Sequence, residues 1–350
     1  MIPSLAIPLG VLLGASLLTL SSVSSAFFVQ QLAWVGLAAL AIMAARLVDW
    51  RGLLSSPFAY LPYALALILL LVVLLFGPVV RNIRGWIVLG PVSFQPVELA
   101  KLALILLYAR YLSRAHATIA RYTTIAATAG LVLIPVALVG LQPDLGSAVI
   151  LMATWFGCIV ASGLPRRRIL AAFVLAAVAA TAAWFLVLAP YQKARIVAVL
   201  HPDADPLGVN YSTNQAKIAV GSAGWFGKGF GQGTQVQLRF LTEPQGDFAL
   251  AAFTEEWGIA GALAMLAAFF ALIIGILRIG AATPRNTERL ICLGVALSFT
   301  VQAAINAGST LGLLPVVGVP FPFLSYGGSS LLTSAALLGI VNAIAYRSRH

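Results

Sequence analysis

Long apolar runs alternate with short polar breaks along the whole chain. Ten runs are long enough to be helices that cross a membrane: roughly 3–22, 26–46, 58–77, 97–113, 123–141, 144–162, 169–190, 248–276, 288–310 and 327–346. A helix rising 1.5 Å per residue spans a hydrocarbon layer of ~30 Å in about 20 residues. The pattern therefore predicts an all-α polytopic membrane protein with ten transmembrane helices. The first run lacks preceding basic residues and a cleavage site leading into a polar domain, so a retained helix is expected there and not a signal peptide. No internal repeat is visible at the level of motifs, which disfavours an inverted-repeat transporter.

Composition agrees with this reading. Hydrophobic residues make up 61% of the chain and charged residues 9%, against about 25% charged in soluble domains. A water-soluble globule is excluded. Cys158 and Cys292 both lie inside apolar runs, so neither a disulfide framework nor a CxxC metal motif is present.

The net charge of +11 would suit nucleic acid in a soluble protein, but no nucleic-acid partner is expected here, because position along the chain explains the charge. Thirteen arginines, from Arg46 and Arg51 through Arg166, Arg167 and Arg168 to Arg347 and Arg349, follow even-numbered runs; seven basic residues, beginning with Arg81 and Arg84, fall on the other side. The positive-inside rule places the thirteen, and with them both termini, in the cytoplasm. The acids sort the other way. Only Asp49 and Glu288 share the arginine-rich side, whereas Glu98, Asp144, Asp203, Asp205, Glu243, Asp247, Glu255 and Glu256 lie at or near the opposite face. Acids contribute little to topology, so their clustering invites a chemical reading.

Residues 191–247 form one long connection between the seventh and eighth runs, predicted to lie outside the cytoplasm. Loops beyond about 12–15 residues in a compact protein are usually functional or disordered, and disorder fits poorly with Tyr191, Trp225, Phe226, Phe230 and Phe240. Smaller outer loops at 77–97 and 311–326 flank it.

Several charged positions have both a structural and a chemical reading. Glu98 and Lys101 in QPVELAK are three residues apart on one helix face, where an ion pair would neutralise both. Asp144 in QPDLGS reads first as a cap on the helix that follows. Asp247 also precedes an apolar run; capping is one reading, and a general base among neighbouring acids such as Glu255 is the other. Segment 214–233 combines six glycines with Lys217 and Lys228, a composition suited to phosphate although it matches no nucleotide fingerprint. Together with Arg195 and Arg239, these lysines would meet an anionic ligand at the outer surface, or form salt bridges with Asp203, Asp205 and Glu243.

Five strings then carry a resemblance: QPVELAK, LQPDLGSA, DPLGVNYSTNQAKIAVGSAGWFGKGFGQGTQ, the stretch from Glu243 and Asp247 through EEWGIAG, and GVPFPFLSYGGSS. In this order they resemble the SEDS family of bacterial cell-wall polymerases, the group of RodA, FtsW and SpoVE, and GTQVQLRFLTE is nearer the RodA branch. The resemblance implies ten transmembrane helices with a large extracytoplasmic loop between the seventh and eighth. It also implies a peptidoglycan glycosyltransferase of the bacterial inner membrane that polymerises lipid II by inverting transfer, with undecaprenyl pyrophosphate as leaving group. By match to the family's essential aspartate, Asp247 is the expected base. Glu98, Lys101, Asp144, Arg195, Lys217, Lys228, Glu255 and Ser325 are the expected substrate-binding set. A divalent cation could assist, although no metal-ligand spacing is visible. The implied partners are lipid II, the nascent glycan strand, a class B penicillin-binding transpeptidase and the cell-elongation complex. A lipid II flippase is the alternative; it would need charges lining a path from both faces, whereas these acids and lysines gather at one.

Overall fold

The computed structural model describes all residues except 81–82, 91, 116–120, 187, 203–204 and 349–350. Arg81, Asp203 and Arg349 therefore lie outside the described residues. The chain is helical nearly throughout: α1 Pro3–Val23, α2 Ser25–Leu47, α3 Trp50–Ser55, α4 Leu61–Phe76, α5 Pro96–Arg114, α6 Tyr122–Leu141, α7 Leu145–Ala161, α8 Arg166–Leu186, α9 Pro190–Leu200, α10 Tyr211–Gly221, α11 Thr234–Gln237, α12 Ala249–Ala282, α13 Asn286–Thr310 and α14 Gly328–Arg347. A short antiparallel hairpin, β1 Ile87–Leu89 and β2 Val92–Phe94, precedes α5. Proline opens α1, α5 and α9, a position where its missing N–H leaves no helical bond unmade.

Eight helices among the described residues are long and apolar enough to cross a membrane. The protein is a multi-pass membrane protein. The central helix is α13, which packs on α5, α7 and α12, while α14 packs mainly on α2. In the most apolar stretch of α14, 78% of residues are buried, and in that of α8 none, so α8 stands at the periphery of the bundle.

Two features differ from the sequence expectation. The connection 191–247 holds three helices, α9, α10 and α11. Ala216 and Ala219 of α10 are fully buried and form a small core with Val236, Leu241, Ala251 and Ala252, the short side chains letting α10 approach α12 closely. The run 248–276 is not one straight helix either. Gly258 has φ 71° and ψ −177°, which breaks α12 between 249–257 and 259–282.

Candidate active site

The break at Gly258 explains the glycine-rich segment. A kink leaves backbone groups without helical partners, and the segment supplies them. The Ile259 and Ala260 amides donate to the Gly224 and Trp225 carbonyls at 2.9 and 3.0 Å, and the Lys228 and Gly229 amides donate to the Glu255 and Glu256 carbonyls at 3.0 Å. Gly227, at φ +79°, runs so close that a Cβ there would strike the Glu256 carbonyl and lie 2.6 Å from the Gly258 nitrogen. These two glycines serve backbone against backbone.

That docking sets the fate of Lys228. Its Nζ lies 2.7 Å from Oε1 of the fully buried Glu255, which also accepts from the Gln235 amide at 2.9 Å and Thr234 Oγ1 at 3.2 Å. Neighbouring Glu256 accepts from Ser22 at the end of α1. Glu255 and Lys228 thus pin the outer segment to α12. Arg195 and Lys217 stand elsewhere, lining a cavity of about 90 Å³ with Asn210, Thr213 and Val316. Arg195 donates to the Val316 carbonyl at 2.8 Å, and neither cation has a carboxylate partner among the described residues. Asp205 is turned to its own chain, accepting from the Gly208 and Val209 amides at 3.0 Å.

The Glu98–Lys101 pair forms at 2.7 Å, with both side chains 4% exposed. Lys101 Nζ also reaches Gln302 Oε1 of α13 at 3.4 Å, and Gln302 donates to Ser298 Oγ at 3.2 Å. Asp144 is the N-cap of α7, accepting from the Ser147 amide at 3.0 Å and its hydroxyl at 2.7 Å, and Gln95 of QPVELAK donates to it at 3.0 Å. Three of the expected residues therefore lie close together in a buried polar cluster.

Asp247 occupies the turn before α12 and is half-buried. The N-cap of α12 is Phe248, one position beyond the aspartate proposed to fill it. Three consecutive carbonyls of this turn are held: Gln245 by the Tyr326 amide at 2.7 Å, Gly246 by Ser325 Oγ at 2.7 Å, and Asp247 by Asn306 Nδ2 at 2.9 Å. Ser325 Oγ in turn accepts from the Phe321 amide at 3.0 Å, and Asn306 also donates to the Val319 carbonyl at 2.9 Å. The 311–326 loop and α13 clamp the main chain at Asp247. Glu243, at φ +51°, starts the turn, a conformation costly for a residue with a Cβ and here sustained by its surroundings.

Ser298, Gln302 and Asn306 repeat every four residues and so share one face of α13, Gln302 and Asn306 about 6 Å apart along its axis. Gln302 meets the Lys101 cluster and Asn306 meets the Asp247 turn. Both groups therefore sit at one end of the bundle, aligned by one helix. Neither Gln302 nor Asn306 is singled out by a reading centred on charge; the signal that marks them is a polar stripe with a period of four in an apolar helix. Among the described residues no three His, Cys, Asp or Glu side chains gather into one group.

Comparison with known proteins places this arrangement. The family model for FtsW, RodA and SpoVE, described as cell cycle protein, matches residues 2–350. The peptidoglycan glycosyltransferase MrdB of Escherichia coli strain K12 is 40% identical over 282 residues, 81% of this chain and 76% of that one. A probable peptidoglycan glycosyltransferase FtsW of Saccharophagus degradans is 36% identical over 312 residues, 86% and 78% of the two chains. A solved chain from work on the coordination of polymerization and crosslinking by a peptidoglycan synthase complex superposes with a TM-score of 0.86 at 32% identity, covering 98% of this chain and 97% of that one. The rod shape determining protein RodA of Thermus thermophilus superposes with a TM-score of 0.73 at 28% identity over 99% and 97%. With a family match over essentially its whole length and relatives well above 30% identity, this chain belongs to the FtsW/RodA/SpoVE family.

Proposed function

We propose that this protein is a peptidoglycan glycosyltransferase that polymerises lipid II at the outer face of the bacterial cytoplasmic membrane, with Asp247 as general base. The observation that carries the assignment of Asp247 is the clamp on the carbonyls of Gln245, Gly246 and Asp247. Proton transfer in the transition state needs a group held at fixed distance from the reacting hydroxyl. The acceptor sugar's hydroxyl loses its proton to the Asp247 carboxylate as its oxygen bonds to the donor's anomeric carbon. The bond from that carbon to the pyrophosphate oxygen breaks in the same step, and the electron pair leaves with the lipid pyrophosphate.

The leaving group needs cations. Arg195 and Lys217 are the pair best placed to meet it, sharing a cavity and holding no carboxylate among the described residues. Lys101 and Lys228 are each bonded to a buried glutamate, so their roles are electrostatic support and loop docking. Arg195 also bonds Val316, in the same 311–326 loop whose Ser325 holds the Gly246 carbonyl next to Asp247. One loop would thus set the spacing between the cations and the base.

Two more helices complete the proposed count of ten crossings. α5 carries four charges, of which Glu98, Lys101 and Arg110 are buried against protein and Arg114 stands exposed in the last turn, so no charge on this helix faces the middle of the lipid layer. The 17 residues of α7 suffice at the short end of the transmembrane range. Arginine distribution supports both termini on the cytoplasmic side; a reporter fused near Pro165 should read as cytoplasmic and one near Asp205 as external, and opposite readings would overturn the orientation. The likeness to a chain of a peptidoglycan synthase complex supports a class B penicillin-binding transpeptidase as partner within a cell-elongation complex.

The test of the activity is purified protein mixed with labelled lipid II. Glycan chains resolved on a gel support it, and no polymer with or without the partner transpeptidase overturns it.

A further inference from the structure

α5 and α13 carry the Lys101 and Asp247 contacts at one end, and at their other end they line a cavity of about 490 Å³ with α3 and α14. Five arginines converge on it from these four elements: Arg51 of α3, Arg110 and Arg114 of α5, Arg285 before α13 and Arg347 of α14. Glu288 is the acid in the lining. It is buried, accepts from Arg51 Nε at 2.7 Å and Thr283 Oγ1 at 2.5 Å, and lies 3.8 Å from Arg285. Arg347 bonds Asp49 at 3.2 Å, outside the lining. Five guanidinium groups against two carboxylates leave an excess of three positive charges.

Arg110 and Arg114 have no carboxylate among the described residues. Arg110 is 9% exposed, donates to the Ser56 carbonyl and lies over the Tyr60 ring at 5.0 Å. Arg114 makes a long 3.4 Å bond to the Ser55 carbonyl. Positive-inside topology and helix dipoles account for arginines at helix ends, each in its own water. They do not account for five gathered around one concavity, where the charges repel unless an anion joins them. Leu54 and Ile344 give the cavity an apolar wall beside its charges.

We propose that this cavity binds the phosphodiester headgroup of an anionic phospholipid. Guanidinium forks match phosphate oxygens in geometry and charge. The apolar wall suits the glycerol and first methylenes of a lipid and gives a free phosphate ion nothing to bury. Basic pockets between membrane helices on the cytoplasmic side are a recurrent form of such sites. Assignment to the cytoplasmic leaflet rests on the orientation proposed above, whereas binding itself is measured without reference to orientation.

The test uses the full-length protein in mixed micelles, reading retained lipid by native mass spectrometry and the midpoint of thermal unfolding. Wild type should retain phosphatidylglycerol in preference to phosphatidylcholine and be stabilised by it. The double variant R114Q/R285Q should bind phosphatidylglycerol about thirtyfold more weakly, as expected for losing two basic contacts to an anionic headgroup. R166Q/R167Q removes equal charge at the start of α8, outside the cavity, and should bind like wild type. Equal loss in both doubles would mean diffuse surface attraction, and stabilisation by inorganic phosphate as strong as by the lipid would mean a soluble-anion site; either overturns the proposal. If R114Q/R285Q fails to fold, as its lipid-free unfolding will reveal, R114Q alone is read, with about fivefold weaker binding expected. Unchanged binding in that variant overturns the proposal too.

Discussion

At Glu98 and Asp144 the bonds within the cluster fall on side-chain oxygens, whereas the turn that carries Asp247 is clamped through its main-chain carbonyls. Glu98 meets Lys101 at 2.7 Å in near-complete burial, and Asp144 accepts from Ser147 and Gln95. At Asp247 the bonds from Asn306, Ser325 and the Tyr326 amide fall on backbone carbonyls. Removing one partner of a buried ion pair is strongly destabilising, so such a pair works as a fixed part of the fold. A turn clamped through its main-chain carbonyls fixes where the Asp247 side chain starts, whatever its carboxylate meets. The first arrangement suits a scaffold and the second suits a base.

The largest expected effect breaks the scaffold. Glu98→Gln leaves the Lys101 ammonium buried at 4% exposure, and removing one partner of a buried pair costs about 3–5 kcal/mol. Its unfolding midpoint in detergent should fall well below that of wild type, while Glu98→Gln combined with Lys101→Met should recover much of the loss. If the recovered double variant polymerises lipid II at the wild-type rate, Lys101 has no electrostatic role in the reaction. An unfolding midpoint unchanged in the single variant would contradict the scaffold reading.

Asp247→Asn comes next and acts on chemistry with stability preserved. Asn keeps the same backbone carbonyl for Asn306 and tolerates a helix start about as well as Asp, but it cannot take up the acceptor proton. Polymerisation should drop by about 10²-fold or more, with expression and thermal unfolding close to wild type. A fully active variant would remove Asp247 from the mechanism and shift attention to Glu98, Glu255 and Glu256.

What the chain reveals by itself follows the same divide. Glu98 with Lys101 and Asp144 with Ser147 are contacts three residues apart, set by helix geometry and capping, so spacing alone predicts them. The spans are legible for a similar reason, because lipid demands a continuous apolar run. The clamp on Asp247 joins residues far apart in sequence, Asn306 and Ser325, and no local rule links them. Lys228 is instructive in the other direction. Its glycine-rich surroundings suggest an anion cradle; in the structure Gly227 fits against the break at Gly258, and that docking brings Lys228 to Glu255. The break is hidden because 248–276 is uniformly apolar; the glycine after EEW is its trace. The helices within 191–247 are obscured because α9 and α10 are short and mixed in polarity, and their stability comes from packing on α12 and not from their own periodicity.

The smallest effect tests whether the backbone clamp matters beyond holding the fold. Ser325→Ala removes the hydroxyl that donates to the Gly246 carbonyl at 2.7 Å and accepts from the Phe321 amide at 3.0 Å. A net hydrogen bond is worth about 1 kcal/mol, which converts to roughly a fivefold change if it is lost from the transition state. The Tyr326 and Asn306 bonds remain, so the turn should loosen without coming apart. kcat should fall several-fold with KM little changed, because Ser325 touches the turn that positions Asp247, the proposed base. Ser325→Thr keeps the hydroxyl and should restore most of the rate. If Ser325→Ala lowers only the unfolding midpoint and leaves kcat at the wild-type value, the clamp is a structural contact like the Glu98 cluster, and the contrast between the two carboxylate sites fails.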